Sequence, residues 1–374
     1  MIHIKRFLKQ EPVCCAACLL AVISSGIILP DQNYFSYPDY RTLSLLFCLM
    51  IIIEGFSSLG LFSSLAATLL KKTNSMRGLA CIMILLCFFS SMVITNDVSL
   101  ITFVPFTILL FSMLHKPDLL LKVLVLETIA ANLGSMATPI GNPQNLYLYS
   151  VADFSITDFL WATLPYTFLS LLLLIVSLLT IPNSQLTTRI THEQTFTKES
   201  LPKFSVYLIL LVLSLSVVFH LLPYTIVLGI TIFAVIFTDR SLFKNVDYFL
   251  LLTFLFFFIF IGNMKRIPAI NELISALLNG HELAGGILMS QIISNVPAAI
   301  LLSGFTNNLS ALLTGVNIGG LGTLIASLAS LITFKFYSKT ETANKGHFLK
   351  IFTLYNVVFL LILTISAYVI YLIM

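Results

Sequence analysis

The sequence predicts an all-α polytopic membrane protein made of two inverted repeats, each with a re-entrant helical hairpin and a broken transmembrane helix. Three observations predict it. Hydrophobic residues are 58% of the 374 positions and charged residues only 10%, whereas a soluble domain carries about 25% charged residues. Two long apolar stretches, Ala131–Asn145 (ANLGSMATPIGNPQN) and Val316–Ser330 (VNIGGLGTLIASLAS), give way to glycine, hydroxyl and amide residues at membrane depth. Such backbone is tolerated there only where protein buries it or where it lines a cavity. Finally, lysine and arginine concentrate on one side of the spans that hydropathy lays out.

In chain order, at about 17–25 apolar residues per crossing, spans are expected at 13–29, 41–58, 123–150, 157–181, 204–222, 224–238, 247–263, 309–334 and 349–374. The first follows Lys5, Arg6 and Lys9 and has the outline of a signal peptide. Its end, Ile27-Ile28-Leu29-Pro30, lacks a small-x-small cleavage site, so it reads as an uncleaved helix. Two further apolar stretches, 77–112 and 283–306, carry polar residues at their middles: Thr95-Asn96-Asp97 and Ser294-Asn295-Val296-Pro297. An apolar arm, a polar tip and a second apolar arm predict a hairpin that enters and leaves by the same face.

With a cytoplasmic N-terminus, nine crossings and two hairpins leave the C-terminus outside. Lys5, Arg6, Lys9, Lys71, Lys72, Arg77, Lys116, Lys122, Arg189, Lys198, Lys203, Arg240, Lys244, Lys335, Lys339, Lys345 and Lys350 then face the cytoplasm, 17 of the 20 basic residues. Only Arg41, Lys265 and Arg266 fall outside, as the positive-inside rule requires. Counting either hairpin as one crossing would misplace the later basic loops.

The same layout exposes a repeat. Asp39-Tyr40 and Asp247-Tyr248 each open an apolar run followed by an interfacial segment, a hairpin and a broken helix. Tyr40/Tyr248, Asn96/Asn295 and Asn132/Asn317 are separated by 208, 199 and 185 residues, so no fixed period exists. The expected division is a first repeat at 1–181, a cytoplasmic linker at 182–203 and a linker helix plus second repeat at 204–374. The helix at 204–222 reverses the second repeat. Inverted repeats meeting at the midplane through discontinuous helices are the signature of secondary transporters.

Lined up on Asn132 and Asn317, the two breaks share Gly134/Gly319, Thr138/Thr323 and Ile140/Ile325, with small residues at Ser135/Gly320, Gly141/Ala326 and Asn142/Ser327. Candidate substrate- and ion-binding residues are therefore Thr95, Asn96 and Asp97 at the first tip and Ser294 and Asn295 at the second. From the breaks come Asn132, Thr138, Asn142, Asn145, Asn317, Gly319, Gly320, Thr323 and Ser327. Half-helix N-termini attract anions, and freed carbonyls coordinate cations. Glycines alone could serve helix packing; Asn142, Gln144 and Asn145 together point to a site. Among three acids in apolar spans, Asp97 adjoins a tip and can titrate or join a Na⁺ shell. Glu54 and Glu127 are weighed equally as coupling acids and as structural groups.

Other chemistry finds no support. A net charge of +4 resides in short loops and implies no nucleic-acid partner. Cys14, Cys15, Cys18, Cys48, Cys81 and Cys87 lie in apolar spans, and Cys15-x-x-Cys18 lacks a second ligand pair, so they read as packing residues. The six histidines sit in loops or near span ends. No phosphate-binding loop, H-E-x-x-H or G-x-S-x-G occurs, which argues against a primary pump or an enzyme. The linker Pro182–Pro202, with Arg189, His192, Glu193, Lys198 and Glu199, is the only sizeable polar connection. The chain is expected in the plasma (inner) membrane with the lipid bilayer as its surroundings. No cofactor is expected beyond a coupling ion, H⁺ or Na⁺. A passive channel is the class-level alternative.

The tip Thr95-Asn96-Asp97 with Val104-Pro105, the run Ala137-Thr138-Pro139-Ile140-Gly141-Asn142-Pro143-Gln144-Asn145, and Ser294-Asn295-Val296-Pro297-Ala298-Ala299 resemble the ion transporter superfamily. Its members include citrate-transporter-like permeases, arsenite efflux permeases, NhaD-type sodium/proton antiporters and divalent anion/sodium symporters. Gly315–Ser327 is most similar to the citrate and arsenite side. The resemblance covers nearly the whole chain and implies an inverted-repeat permease, with a homodimer and an elevator-like motion among its expectations. It implies a small anionic or metalloid substrate. In the symporter branch, Ser-Asn-Thr at both tips binds sodium and carboxylate; Asp97 and Val296 replace the last threonine here. An added negative charge disfavours a dianion unless it is protonated or paired, which gives weight to proton coupling or cation exchange. Three readings follow: an anion transporter coupled to H⁺ or Na⁺, an arsenite or antimonite efflux permease, and a Na⁺/H⁺ antiporter using Asp97.

Overall fold

A computed structural model describes residues 12–61, 64, 68, 73–114, 116–152, 154–185, 200–341 and 343–373. The basic N-terminal residues, Lys71, Lys72, His115 and the linker positions Arg189, His192, Glu193, Lys198 and Glu199 lie outside these described residues.

Among them the chain is helical: α1 (Pro12–Ile27), α2 (Tyr40–Ser58), α3 (Met76–Ile94), α4 (Asn96–Met113), α5 (Pro117–Ser135), α6 (Pro143–Val151), α7 (Ile156–Leu179) and α8 (Leu201–Val218). They continue as α9 (Tyr224–Thr238), α10 (Tyr248–Lys265), α11 (Pro268–Leu278), α12 (Glu282–Ile293), α13 (Asn295–Ser303), α14 (Leu309–Gly319), α15 (Leu328–Tyr337) and α16 (Lys345–Ile373). Helices α2, α3, α7, α8, α10 and α16 are long and apolar enough to cross a membrane, six among the described residues. The expected crossing at 224–238 is a helix of 15 residues, about 22 Å long against a hydrocarbon core of about 30 Å.

Local chemistry sets the boundaries. Asp39 caps α2 and Asp247 caps α10, so the two Asp-Tyr pairs of the sequence are helix starts. Ser75, Ser155 and Asn308 cap α3, α7 and α14. Between α5 and α6, Pro139 and Pro143 withdraw two backbone donors. Asn142 then restarts the helix, its Oδ1 accepting from the Asn145 amide at 2.8 Å with Pro143 in the first turn. Between α14 and α15 the glycine-rich run 319–322 ends the helix, and Gly322 holds a φ of 101°.

Two helix pairs share one construction. Helices α3 and α4 meet at Thr95, α12 and α13 at Ser294, and the arms of each pair pack on one another. The first pair also packs on α5 and the second on α14. The later arms are exchanged: α6 lies against α13, and α15 lies against α4. Around this centre, α1 pairs with α10 and α8 with α2, where Tyr207 fills the space above Gly55. The phenylalanines of α10 serve packing, with Phe254 and Phe258 buried against the Tyr147 ring.

Candidate functional site

The helix-pair tips and the two breaks meet in the interior. Their local geometry comes in matched halves. Thr95 and Ser294 hold φ of 68° and 77°, backbone that residues other than glycine seldom adopt. The Asn96 amide donates to the Gly141 carbonyl at 3.1 Å, and the Asn295 amide donates to the Ala326 carbonyl at 2.9 Å. Each tip asparagine turns its Oδ1 onto the next amide, Asp97 and Val296, at 3.0 Å in both cases. The Thr138 hydroxyl donates to the Met92 carbonyl, and the Thr323 hydroxyl to the Gln291 carbonyl at 3.2 Å. Both acceptors stand three residues before their tips.

The breaks also bond to each other. Asn142 Nδ2 donates to Asn317 Oδ1 at 3.2 Å, and the Ser327 hydroxyl donates to Asn132 Oδ1 at 2.9 Å. Asn317 Nδ2 reaches Asn145 Oδ1 at 2.7 Å. Asn96 Nδ2 also donates to Asn132 Oδ1, at 3.1 Å. Asn145 Nδ2 faces the Thr138 carbonyl at 3.0 Å, holding the first break in shape. Close approach makes the geometry possible: a Cβ on Gly141 would stand 2.0 Å from the Ser135 carbonyl oxygen.

Besides Ser330 Oγ at the end of the second stretch, three buried polar atoms of this well-bonded centre have no partner among the described residues. They are Asp97 Oδ1, Gln144 Oε1 and Asn132 Nδ2. An orphaned buried polar group is costly, and here two acceptors and one donor concentrate where both tips and both breaks converge. Asp97 and Gln144 line a cavity of about 10 Å³ with Asn96, Asn295 and Ser327, about the size of one ion or water. On its other side Asp97 faces a cavity of about 150 Å³ with Glu54, Asp247, Thr95, Asn142 and Asn245. Among the described residues, three acids and no lysine or arginine line this second cavity. Glu54 is held by Asn245, whose Nδ2 donates to its Oε1 at 2.8 Å. Among the described residues no three His, Cys, Asp or Glu side chains converge to cage a metal ion. A bare cation there must therefore take amide, hydroxyl or water oxygens as well.

Of the candidate residues, Asn96, Asn132, Asn142, Asn145, Ser294, Asn295, Asn317, Gly320 and Ser327 are buried at the convergence. Thr95 and Asp97 stand at the first tip, half-buried. Thr138 and Thr323 act on the tips through backbone, and the Thr323 side chain is exposed. Gly319 admits α12, since a Cβ there would meet the Ser290 side chain at 2.8 Å. Glu54 joins the acid-lined cavity. Glu127 does not: it is fully buried between α4 and α5, its Oε1 accepting from the Thr107 hydroxyl at 2.5 Å and its Oε2 unpartnered.

Two contributors escaped sequence reasoning. Gln291 Nε2 donates to the Gly319 and Leu321 carbonyls at 2.8 and 2.9 Å, and its Oε1 accepts from the Thr323 amide at 2.9 Å, so it staples the second break. Asp247 reads as a helix cap, and its place in the cavity depends on how α10 docks. Gln144, which the sequence already groups with Asn142 and Asn145, stands at the first break with its Oε1 unpartnered among the described residues.

The sequence profile of the citrate transporter family matches residues 9–311. Over 355 residues the chain is 34% identical to a protein of Methanocaldococcus jannaschii named as an uncharacterized transporter, covering 93% of this chain and 96% of that one. It is 31% identical over 339 residues to the inner membrane protein YbiR of Escherichia coli, 88% of this chain and 87% of that one. Similarity to the silicon efflux transporter of rice, Oryza sativa, is 32% identity over 139 residues, 37% of this chain and 28% of that protein.

Proposed function

This multi-pass membrane chain belongs to the citrate transporter family, and from that membership we propose that it is a secondary active transporter of a small anion. The anion is citrate- or carboxylate-like or an inorganic oxyanion, and it moves with H⁺ or Na⁺. The carrying observation is the unpartnered Asp97 oxygen between two cavities, one acid-lined and the other shared by both tips and both breaks. A buried carboxylate oxygen without a partner calls for a proton or a cation. Asp97 is therefore the coupling residue, with Gln144 Oε1 as a second acceptor. Asn132 Nδ2, a buried donor without a partner, is directed to the anion. Cation binding neutralises the site so that the anion can follow, which makes the two steps interdependent.

The finer architecture belongs to the same proposal. Repeats at 1–181 and 204–374 are inverted copies, and the helix pairs at 77–112 and 283–306 are re-entrant. Support comes from the matched tip backbones, the paired tip-to-break bonds and the reciprocal Asn142–Asn317 and Ser327–Asn132 contacts. The chain sits in the plasma (inner) membrane with its N-terminus cytoplasmic and its C-terminus outside, as a homodimer in the bilayer. The experiment is uptake of labelled citrate, sulfate or arsenate into proteoliposomes under an imposed H⁺ or Na⁺ gradient. Accumulation should collapse when the gradient is dissipated. Flux indifferent to both gradients argues against coupling, and single-channel currents would replace the carrier with a pore.

A second reading draws on the absence of basic residues from the wall of the acid-lined cavity. There Asp97 exchanges Na⁺ for H⁺ without an anion, or a neutral oxyacid such as arsenite or antimonite passes outward. The rice relative, named as a silicon efflux transporter, favours the oxyacid form. Arsenite resistance conferred on a sensitive host, with no gradient-driven anion uptake, would select this reading.

A further inference from the structure

The carboxyl end of α10 borders a cavity of about 930 Å³, shared with the loop after α11 and the turn from α13 into α14. Its wall is chiefly polar, including Asn279, Thr306 and Asn308, and it carries one cation, Lys265, and one acid, Glu282. The two charges are presented differently. Glu282 is buried, and its Oε1 accepts from the Thr306 hydroxyl at 3.0 Å and from the Gly280 amide at 3.3 Å. Lys265 is exposed and, among the described residues, makes neither an ion pair nor a hydrogen bond. Its stem lies over Gly304, where an added Cβ would meet Lys265 Cε at 3.0 Å. The apolar stem is thus seated on the turn while the ammonium stays in the polar space.

The floor of this cavity connects to the candidate site. Ser303 lines it and shares a 2.9 Å hydrogen bond with the Tyr147 hydroxyl. Tyr147 is on α6, which starts at the first break, and Ser303 ends α13, which starts at the second tip. Helix α13 has nine residues, so the floor is about 13 Å from that tip along the helix axis.

We propose that this cavity is an outer vestibule that collects the carboxylate or oxyanion substrate, with Lys265 as the capturing charge and the neighbouring amides and hydroxyls as hydrogen-bond partners. The proposal rests on the reading of the chain as an anion transporter and adds a second binding station to it. An unpaired ammonium in a polar recess raises the local concentration of anions and accelerates their arrival.

The test is the labelling rate of Asn279→Cys in detergent-purified protein, against the parent as control, with an anionic and a cationic methanethiosulfonate reagent. The ratio of anionic to cationic rate should fall about threefold to tenfold on adding Lys265→Gln, and Lys265→Arg should restore it. Citrate should slow the anionic reagent when Lys265 is present and have no effect in Lys265→Gln. An unchanged ratio overturns the vestibule. So does protection by phosphatidylglycerol with none by citrate, which would make the cavity a lipid headgroup site. Loss of gradient-driven anion uptake with the ratio and citrate protection intact would count against the transport reading and leave the anion vestibule standing.

Discussion

Thr95 and Ser294 pay a conformational cost for identical service, since each reverses the chain between two apolar arms with a positive φ. That region costs about 1–3 kcal/mol for a residue with a Cβ, and neither side chain makes a capping bond in return. Thr95→Gly and Ser294→Gly should each raise thermal stability by about 1 kcal/mol after the entropy of glycine is counted. Melting of the two variants in detergent checks this, and lowered midpoints in both would mean that the side chains hold the tips in place. Glu127 is a contrasting case. Its bond from Thr107 survives in Glu127→Gln, so that variant should retain gradient-driven uptake, whereas Glu127→Ala leaves a void and an unpaired hydroxyl. The expected loss for the alanine variant is about 2–3 kcal/mol. A stable Glu127→Gln protein without coupled uptake would move the coupling role to Glu127.

The two broken segments hold their shape by opposite means. The first uses two prolines and an asparagine cap; the second uses glycines stapled by Gln291. Gly141→Ala should therefore be severe, destabilising by about 2 kcal/mol or more, because its Cβ meets backbone that cannot yield. Circular-dichroism melting should show the loss, and a midpoint within a degree of the parent would show that the break adjusts freely. Both tips and both breaks were legible in the sequence because polar residues at membrane depth have few structural explanations. The alignment of Asn132 with Asn317 also paired Asn142 with Ser327, and those residues bond crosswise. What escaped notice was tertiary. Asp247 reads as an ordinary cap until α10 docks beside the first tip, and Gln291 reads as one polar residue on an apolar arm. Glu54 and Glu127 were equal in sequence, yet packing sends one to a cavity wall and the other between two helices.

Across the whole molecule, the exchange of α6 and α15 between the helix pairs makes the site a joint product of both halves of the chain. A smaller tie joins the segment before α2 to the end of α10. Arg266 Nη2 meets Asp31 Oδ2 at 2.9 Å, and Arg266 Nη1 donates to the Tyr37 hydroxyl at 3.0 Å. The Arg266 guanidinium holds the Asp31 carboxyl below its ordinary value of 3.8. A lowered carboxyl stabilises the fold above its unfolded-state value and loses that contribution as pH falls through the folded value. The melting difference between the parent and Asp31→Asn should therefore be present at pH 7 and 5 and disappear toward pH 2. It should also shrink with added salt, as the pair is exposed, and a difference that persists at pH 2 would assign it to another cause. The central claim concerns the charge between the two cavities. It is tested most directly by citrate accumulation in proteoliposomes under opposed H⁺ and Na⁺ gradients, comparing the parent with Asp97→Asn at matched reconstitution. The account predicts that accumulation driven by one of the two gradients is reduced at least tenfold in Asp97→Asn while thermal stability is kept. Undiminished accumulation in a well-folded Asp97→Asn protein would contradict it.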